Sequence, residues 1–269
     1  MGGVAHANLR CVRVPTALVI QNDPDGLPAR LGDWLGEAGL ARHTVTPYDG
    51  SPLPDALDGY AAIVVIGGDM SAEGQAAADW HLALKALLRQ AVSAGLPTLA
   101  ICHGAHLLAE ALGGRIGPGE SGPEIGPALV AKRDVAAGDP LFGVVPFTPD
   151  VVQWHQRGIV ALPPGAVLLA SSPKFPNQAF RVGAVAYGLQ FHIETTPDMV
   201  RRWVDRDADR LDEFGIGRER LLARLDEAHA DVEDVWRPFT SRFVELALRR
   251  HRDRLGTDAN GGPGEGHPS

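Results

Sequence analysis

Residues Leu96 to Gly114 read LPTLAICHGAHLLAEALGG. Pro97 to Ile101 is a short apolar run of the kind that forms a buried strand, and His103 to Leu112 carries apolar residues at helical spacing before Gly113-Gly114 ends it. Cys102 falls on the junction, so a strand must turn sharply into a helix at a cysteine. The first turn of a helix has N–H groups without partners and a positive dipole end, and both favour a thiolate at that position. The N–H of His103 could also face a developing oxyanion. Ala100 and Gly104, two residues to either side, are small enough to let strand and helix approach closely. A small buried hydrophobe is the other reading of Cys102, since free cysteines are often that.

Working outward, the chain alternates short apolar runs with longer amphipathic ones, which predicts an α/β fold: a mostly parallel central sheet with helices on both faces. Thr16 to Ile20, Ala41 to Thr46 and Tyr60 to Ile66 read as strands. The last, YAAIVVI, is apolar throughout and so is expected to be central. Gly26 to Ala38 and Ala76 to Ala94 read as helices, the second closed by Gly95. Arg115 to Gln190 has short strands between glycine and proline turns, an antiparallel extension that ends near Ala184 to Phe191. From Pro197 helices in pieces are expected to about Arg254, with Phe239, Phe243 and Leu246 on one stripe that packs on the main domain or meets a partner. Expected boundaries are a flexible arm over 1–14, a catalytic domain over 15–205, a helical extension over 206–254 and a disordered tail over 255–269.

The 269 residues hold 25 basic and 33 acidic side chains, a net charge of −8, which argues against nucleic acid as the main partner. Two cysteines are too few for a disulfide scaffold, and Cys11, with no base near it in sequence, is expected to be inert. No apolar run approaches the roughly 20 residues of a membrane helix. Residues Met1 to Val14 lack the pattern of a signal peptide, so a soluble, cytoplasmic protein without membrane association is expected. The histidines show no metal-ligand spacing, and no GxxxxGK[ST] loop occurs. Neither a metal nor a cofactor is therefore expected.

A thiolate nucleophile needs a base and a group to orient it. GLQFHIETT, Gly188 to Thr196, offers both, because His192 and Glu194 are two apart and point the same way on an extended chain. ICHGAHLLAEALGG together with YGLQFHIE resembles the class I, triad-type, glutamine amidotransferase family. VVIGGDMSAEG (Val64 to Gly74), GPEIG (Gly122 to Gly126), and WHQ followed by LPPGAVLLASS and NQAF (Trp154 to Phe180) agree with it in order and spacing. The resemblance extends from about Ala17 to Asp205. It is strongest to stand-alone members related to the amidotransferase domain of GMP synthases, with a flavodoxin-like fold.

The resemblance implies that Cys102 attacks the side-chain amide of glutamine, His192 protonates the leaving ammonia, Glu194 orients His192, and a γ-glutamyl thioester is then hydrolysed. Gly68 and His103 would supply the oxyanion N–H groups. The family has glutamine four residues after the nucleophile, where this chain has His106, and commonly proline where it has Ile193. His106, Ser171, Ser172 and Gln178 fall where the family binds its substrate. Glu124 could hold the substrate ammonium and His155 could line the pocket, although each could equally be a solvated or structural residue. No synthetase domain fits in the remaining sequence, so an ammonia acceptor would be a separate chain. Two other readings stay open: a PfpI-like Cys-His hydrolase with His103 as base, and a non-catalytic regulatory module of the same fold.

Overall fold

The computed structural model describes residues 14–68, 79–119 and 121–260. The expected arm, with Cys11, the second half of the VVIGGDMSAEG motif, the first residues of the helix expected from Ala76, and the tail from 261 onward lie outside the described residues.

Five parallel strands form the centre: β1 (Thr16–Ile20), β2 (Ala41–Val45), β3 (Tyr60–Val65), β4 (Thr98–Ile101) and β12 (Ala186–Leu189). Their order is β2-β1-β3-β4-β12, and antiparallel β11 (Ala179–Val182), β10 (Val167–Ser171) and β7 (Ala131–Lys132) continue the sheet to its far edge. This is the flavodoxin-like order, with a second layer of antiparallel pairs beside it. Those pairs are β5 (Arg115–Pro118) with β9 (Arg157–Ala161), and β6 (Glu124–Leu129) with β8 (Asp150–His155).

Strand alternation divides the core in two, since successive side chains leave opposite faces of a sheet. Leu18, Ile20, Ile63, Val65 and Ala100 meet α2 (Asp79–Ser93) and α3 (His103–Ala111) through Leu84, Leu88, Ala105 and Leu108. Ala17, Val19, Ala62, Val64 and Leu99 meet the other layer, made by α1 (Ala29–Glu37), α4 (Pro197–Arg206), α5 (Ala208–Glu213) and α6 (Arg218–Asn260). Every residue of β4 is buried, which its position between β3 and β12 requires.

The carboxy-terminal helices pack on the main domain, one of the two expected arrangements. They are built into the core: Trp236, Phe239 and Phe243 are fully buried, and Leu246 is nearly so. Phe142, from the antiparallel segment, packs edge-on against both Trp236 and Phe239. The stripe Phe239, Phe243, Leu246 thus packs on the main domain. Helix α6 is 43 residues long and continues to Asn260, so residues 255–260 extend a helix where a disordered tail was expected. Among the described residues no helix is long and apolar enough to cross a membrane.

Candidate active site

Cys102 has φ +48° and ψ −110°, a backbone conformation that L residues rarely adopt. It is the N-cap of α3, its own N–H donates to Leu189 O at 2.7 Å, and its carbonyl accepts from His106 N at 3.0 Å. The sulfur therefore stands where β4 stops beside β12 and α3 begins. Gly104 allows the turn: a methyl group there would lie 2.4 Å from Val65 O on the neighbouring strand. Small residues around the cysteine thus have a definite steric reason.

After β12 the chain bends at Gln190 and Phe191 and then makes an isolated bridge, with His192 N donating to Val152 O at 2.8 Å and Val152 N to His192 O at 3.2 Å. That bridge to β8 brings His192 to the cysteine. Glu194 Oε1 lies 2.7 Å from His192 Nδ1, and its other oxygen accepts from Ile193 N at 2.9 Å. Both side chains are buried, the imidazole at 4% exposure and the carboxylate at 0%. Burial alone would lower the His192 pKa, but the charges of Glu194 and Cys102 and the hydrogen bonds to both outweigh it and raise it to about 10. The Trp203 indole of α4 stands edge-on to this imidazole at 4.8 Å between ring centroids.

Gly67 and Gly68 adjoin the same centre. A methyl group on Gly67 would lie 3.0 Å from His192 Cε1 and 3.4 Å from Cys102 Cβ, and one on Gly68 would lie 3.7 Å from His103 Cδ2. Asn22 ties this turn down by donating from Nδ2 to Ile66 O at 2.6 Å. The His103 ring meets His81, with Nε2 3.4 Å from His81 Nε2, while its buried Nδ1 lacks a hydrogen-bond partner among the described residues. Burial first, then His106, His81 and Lys85, lower its pKa to about 3. His103 is thus uncharged near neutral pH and, among the described residues, has no carboxylate to orient it.

His106 is buried, and its Nε2 meets Gln190 Oε1 at 2.9 Å; Gln190 Nε2 lies 4.0 Å from Cys102 Sγ. Behind Gln190, whose N–H donates to Gln178 O, four of the other expected site residues join in one network. Glu124 accepts from Ser172 Oγ at 2.7 Å and from Gln178 Nε2 at 2.6 Å, and its Oε2 lies 3.3 Å from His155 Nε2. Burial raises the Glu124 pKa, but the hydrogen bonds from His155, Ser172 and Gln178 win and lower it, keeping a carboxylate. For His155 the balance falls the other way, and burial lowers its pKa despite Glu124. Ser171 lies outside this network, on β10 opposite Ala131.

Two glutamines were missed by sequence reasoning. Gln190 precedes His192 by two residues and Gln153 precedes His155 by two, so the same alternation that pairs His192 with Glu194 could have found them. Gln153 donates to Gln178 Oε1 at 2.9 Å and its Oε1 lies 2.9 Å from His155 Nε2. Among the described residues no group of three or more His, Cys, Asp or Glu side chains could hold a metal ion.

The sequence profile of the glutamine amidotransferase class-I family matches residues 33–202. The chain belongs to that family. It is 43% identical to a GMP synthase (glutamine-hydrolyzing) of Thermomicrobium roseum over 169 residues, 62% of this chain and 27% of that protein. The chain spans roughly a quarter to a third of the length of the GMP synthases it matches. It is 27% identical to γ-glutamyl peptidase 4 of Arabidopsis thaliana over 224 residues, 82% of this chain and 86% of that one. Among solved structures, a glutamine amidotransferase from Thermotoga maritima superposes with a TM-score of 0.77 at 27% identity, covering 87% of this chain and 99% of the other.

Proposed function

We propose that this family member hydrolyses the side-chain amide of glutamine, or of a closely related γ-glutamyl compound, through Cys102, His192 and Glu194. The observation that carries the reading is the buried His192–Glu194 pair beside a cysteine held at a strand-to-helix turn. The Cys102 sulfur attacks the amide carbon, and the oxygen of the tetrahedral intermediate is stabilised by N–H groups of Gly68 and His103. His192 protonates the leaving nitrogen, so ammonia departs and a γ-glutamyl thioester remains. Water, deprotonated by the now neutral His192, then hydrolyses the thioester to glutamate. Glu194 holds the imidazole in orientation through both steps. In this reading the Glu124 carboxylate faces the substrate ammonium, with Ser172, Gln178 and His155 shaping that end, and Ser171 has the weakest claim to contact substrate.

Ammonia would pass to an acceptor enzyme on a separate chain, a reading supported by the likeness to one portion of the GMP synthases. A second reading has its own observation: the likeness to γ-glutamyl peptidases runs over most of both chains, which suits a γ-glutamyl peptide donor. His103 as the base, the PfpI-like alternative, has less support, because its ring is paired with His81 and has no carboxylate partner among the described residues.

The deciding experiment measures ammonia and glutamate release from a panel of amides and γ-glutamyl peptides, alone and with cell extract, for wild type, His103→Ala and His192→Ala. Activity on glutamine that His192→Ala abolishes is expected. Loss only in His103→Ala would overturn the triad, and no turnover of any donor under either condition would favour the non-catalytic module.

A further inference from the structure

Gln190 is fully buried between Cys102 and His106. A glutamine amide has a donor end and an acceptor end, and what lies at one end decides what the other presents. Here the acceptor end, Oε1, meets His106 Nε2 at 2.9 Å, which requires the hydrogen of that contact to be on His106. The donor end, Nε2, is thereby directed at Cys102 Sγ, 4.0 Å away. The backbone is fixed as well, since Gln190 N donates to Gln178 O at 2.8 Å.

We propose that Gln190 is a positioning residue for the nucleophile, that its amide N–H supports the Cys102 thiolate, and that His106 acts by fixing the direction of that amide. This rests on the reading of Cys102 as the nucleophile. A donor facing sulfur favours its anionic form. His106 holds the amide whenever its Nε2 carries the hydrogen, as this contact requires. Its effect on catalysis therefore runs through Gln190 rather than through contact with the acyl group. A glutamine at position 106 could donate the same bond from its amide, whereas leucine could not.

The test is the rate at which iodoacetamide alkylates Cys102 at pH 7, read by mass spectrometry on the Cys102 peptide, with circular dichroism as the control for folding. Losing one hydrogen bond of this kind should slow alkylation by about 2- to 12-fold in His106→Leu and in Gln190→Met. His106→Gln should recover most of the rate lost in His106→Leu. A wild-type rate in either folded His106→Leu or folded Gln190→Met overturns the proposal, and so does a His106→Gln rate as low as that of His106→Leu. If His106→Leu does not fold, Gln190→Met against wild type carries the test. No amide substrate is used, so failure to hydrolyse glutamine would refute the donor assignment while leaving this measurement readable.

Discussion

Glu194 makes His192 a strong proton carrier in a place where burial alone would do the reverse. Without the carboxylate, desolvation would lower the imidazole pKa, and its value near 10 depends on the charges beside it. Glu194→Gln should therefore reduce amide hydrolysis by roughly two to four orders of magnitude, measured as ammonia release, since both orientation and charge are altered. Activity within a few-fold of wild type would mean that Glu194 does not serve His192. The same pair has a stability consequence. Because the folded value lies above the ordinary 6.5, its contribution is fully present below about pH 6.5 and is lost as pH rises through about 10. Urea unfolding of wild type should show a larger loss of stability between those pH values than unfolding of Glu194→Gln, and equal losses would contradict the assignment.

At the scale of the element, the strand-to-helix turn stores backbone strain at the residue that carries the chemistry. Glycine normally destabilises a folded chain relative to alanine, but at φ +48° the order should reverse. Cys102→Gly is expected to be more stable than Cys102→Ala by about 1–3 kcal/mol in urea unfolding, with both inactive. Finding the alanine variant equal or more stable would show that the turn is unstrained. This unit was legible in sequence because its parts obey simple rules: an apolar run for the strand, a small residue at position 104, and paired glycines to end the helix. For Gln190 and Gln153 the two-residue spacing shows only that each shares a strand face with the following histidine, not what it meets there. Their role depends on β8 bridging to the segment after β12, a contact between residues some forty positions apart that spacing within one strand does not reveal.

Across the whole molecule, α6 is a structural part of the fold. Its buried Trp236 joins Phe142, Phe191 and Phe239 in one aromatic cluster and donates from Nε1 to Asp150 O at 2.7 Å. Trp236→Ala should cost about 3–5 kcal/mol by chemical denaturation. A loss under about 1 kcal/mol would indicate an independent extension. The parallel sheet was readable because strands buried on both faces are apolar along their length. The single long α6 was less so: Pro238 and many charged residues interrupt the pattern, and its buried stripe becomes evident only against the sheet and Phe142. The chemistry nonetheless turns on one sulfur atom. It is tested most directly by treating the intact protein with a glutamine-derived chloroketone and mapping the label by mass spectrometry. A single adduct on Cys102 is expected, slowed by excess glutamine and lost in His192→Ala. No adduct, or labelling of Cys102 that neither glutamine nor His192→Ala affects, would contradict it.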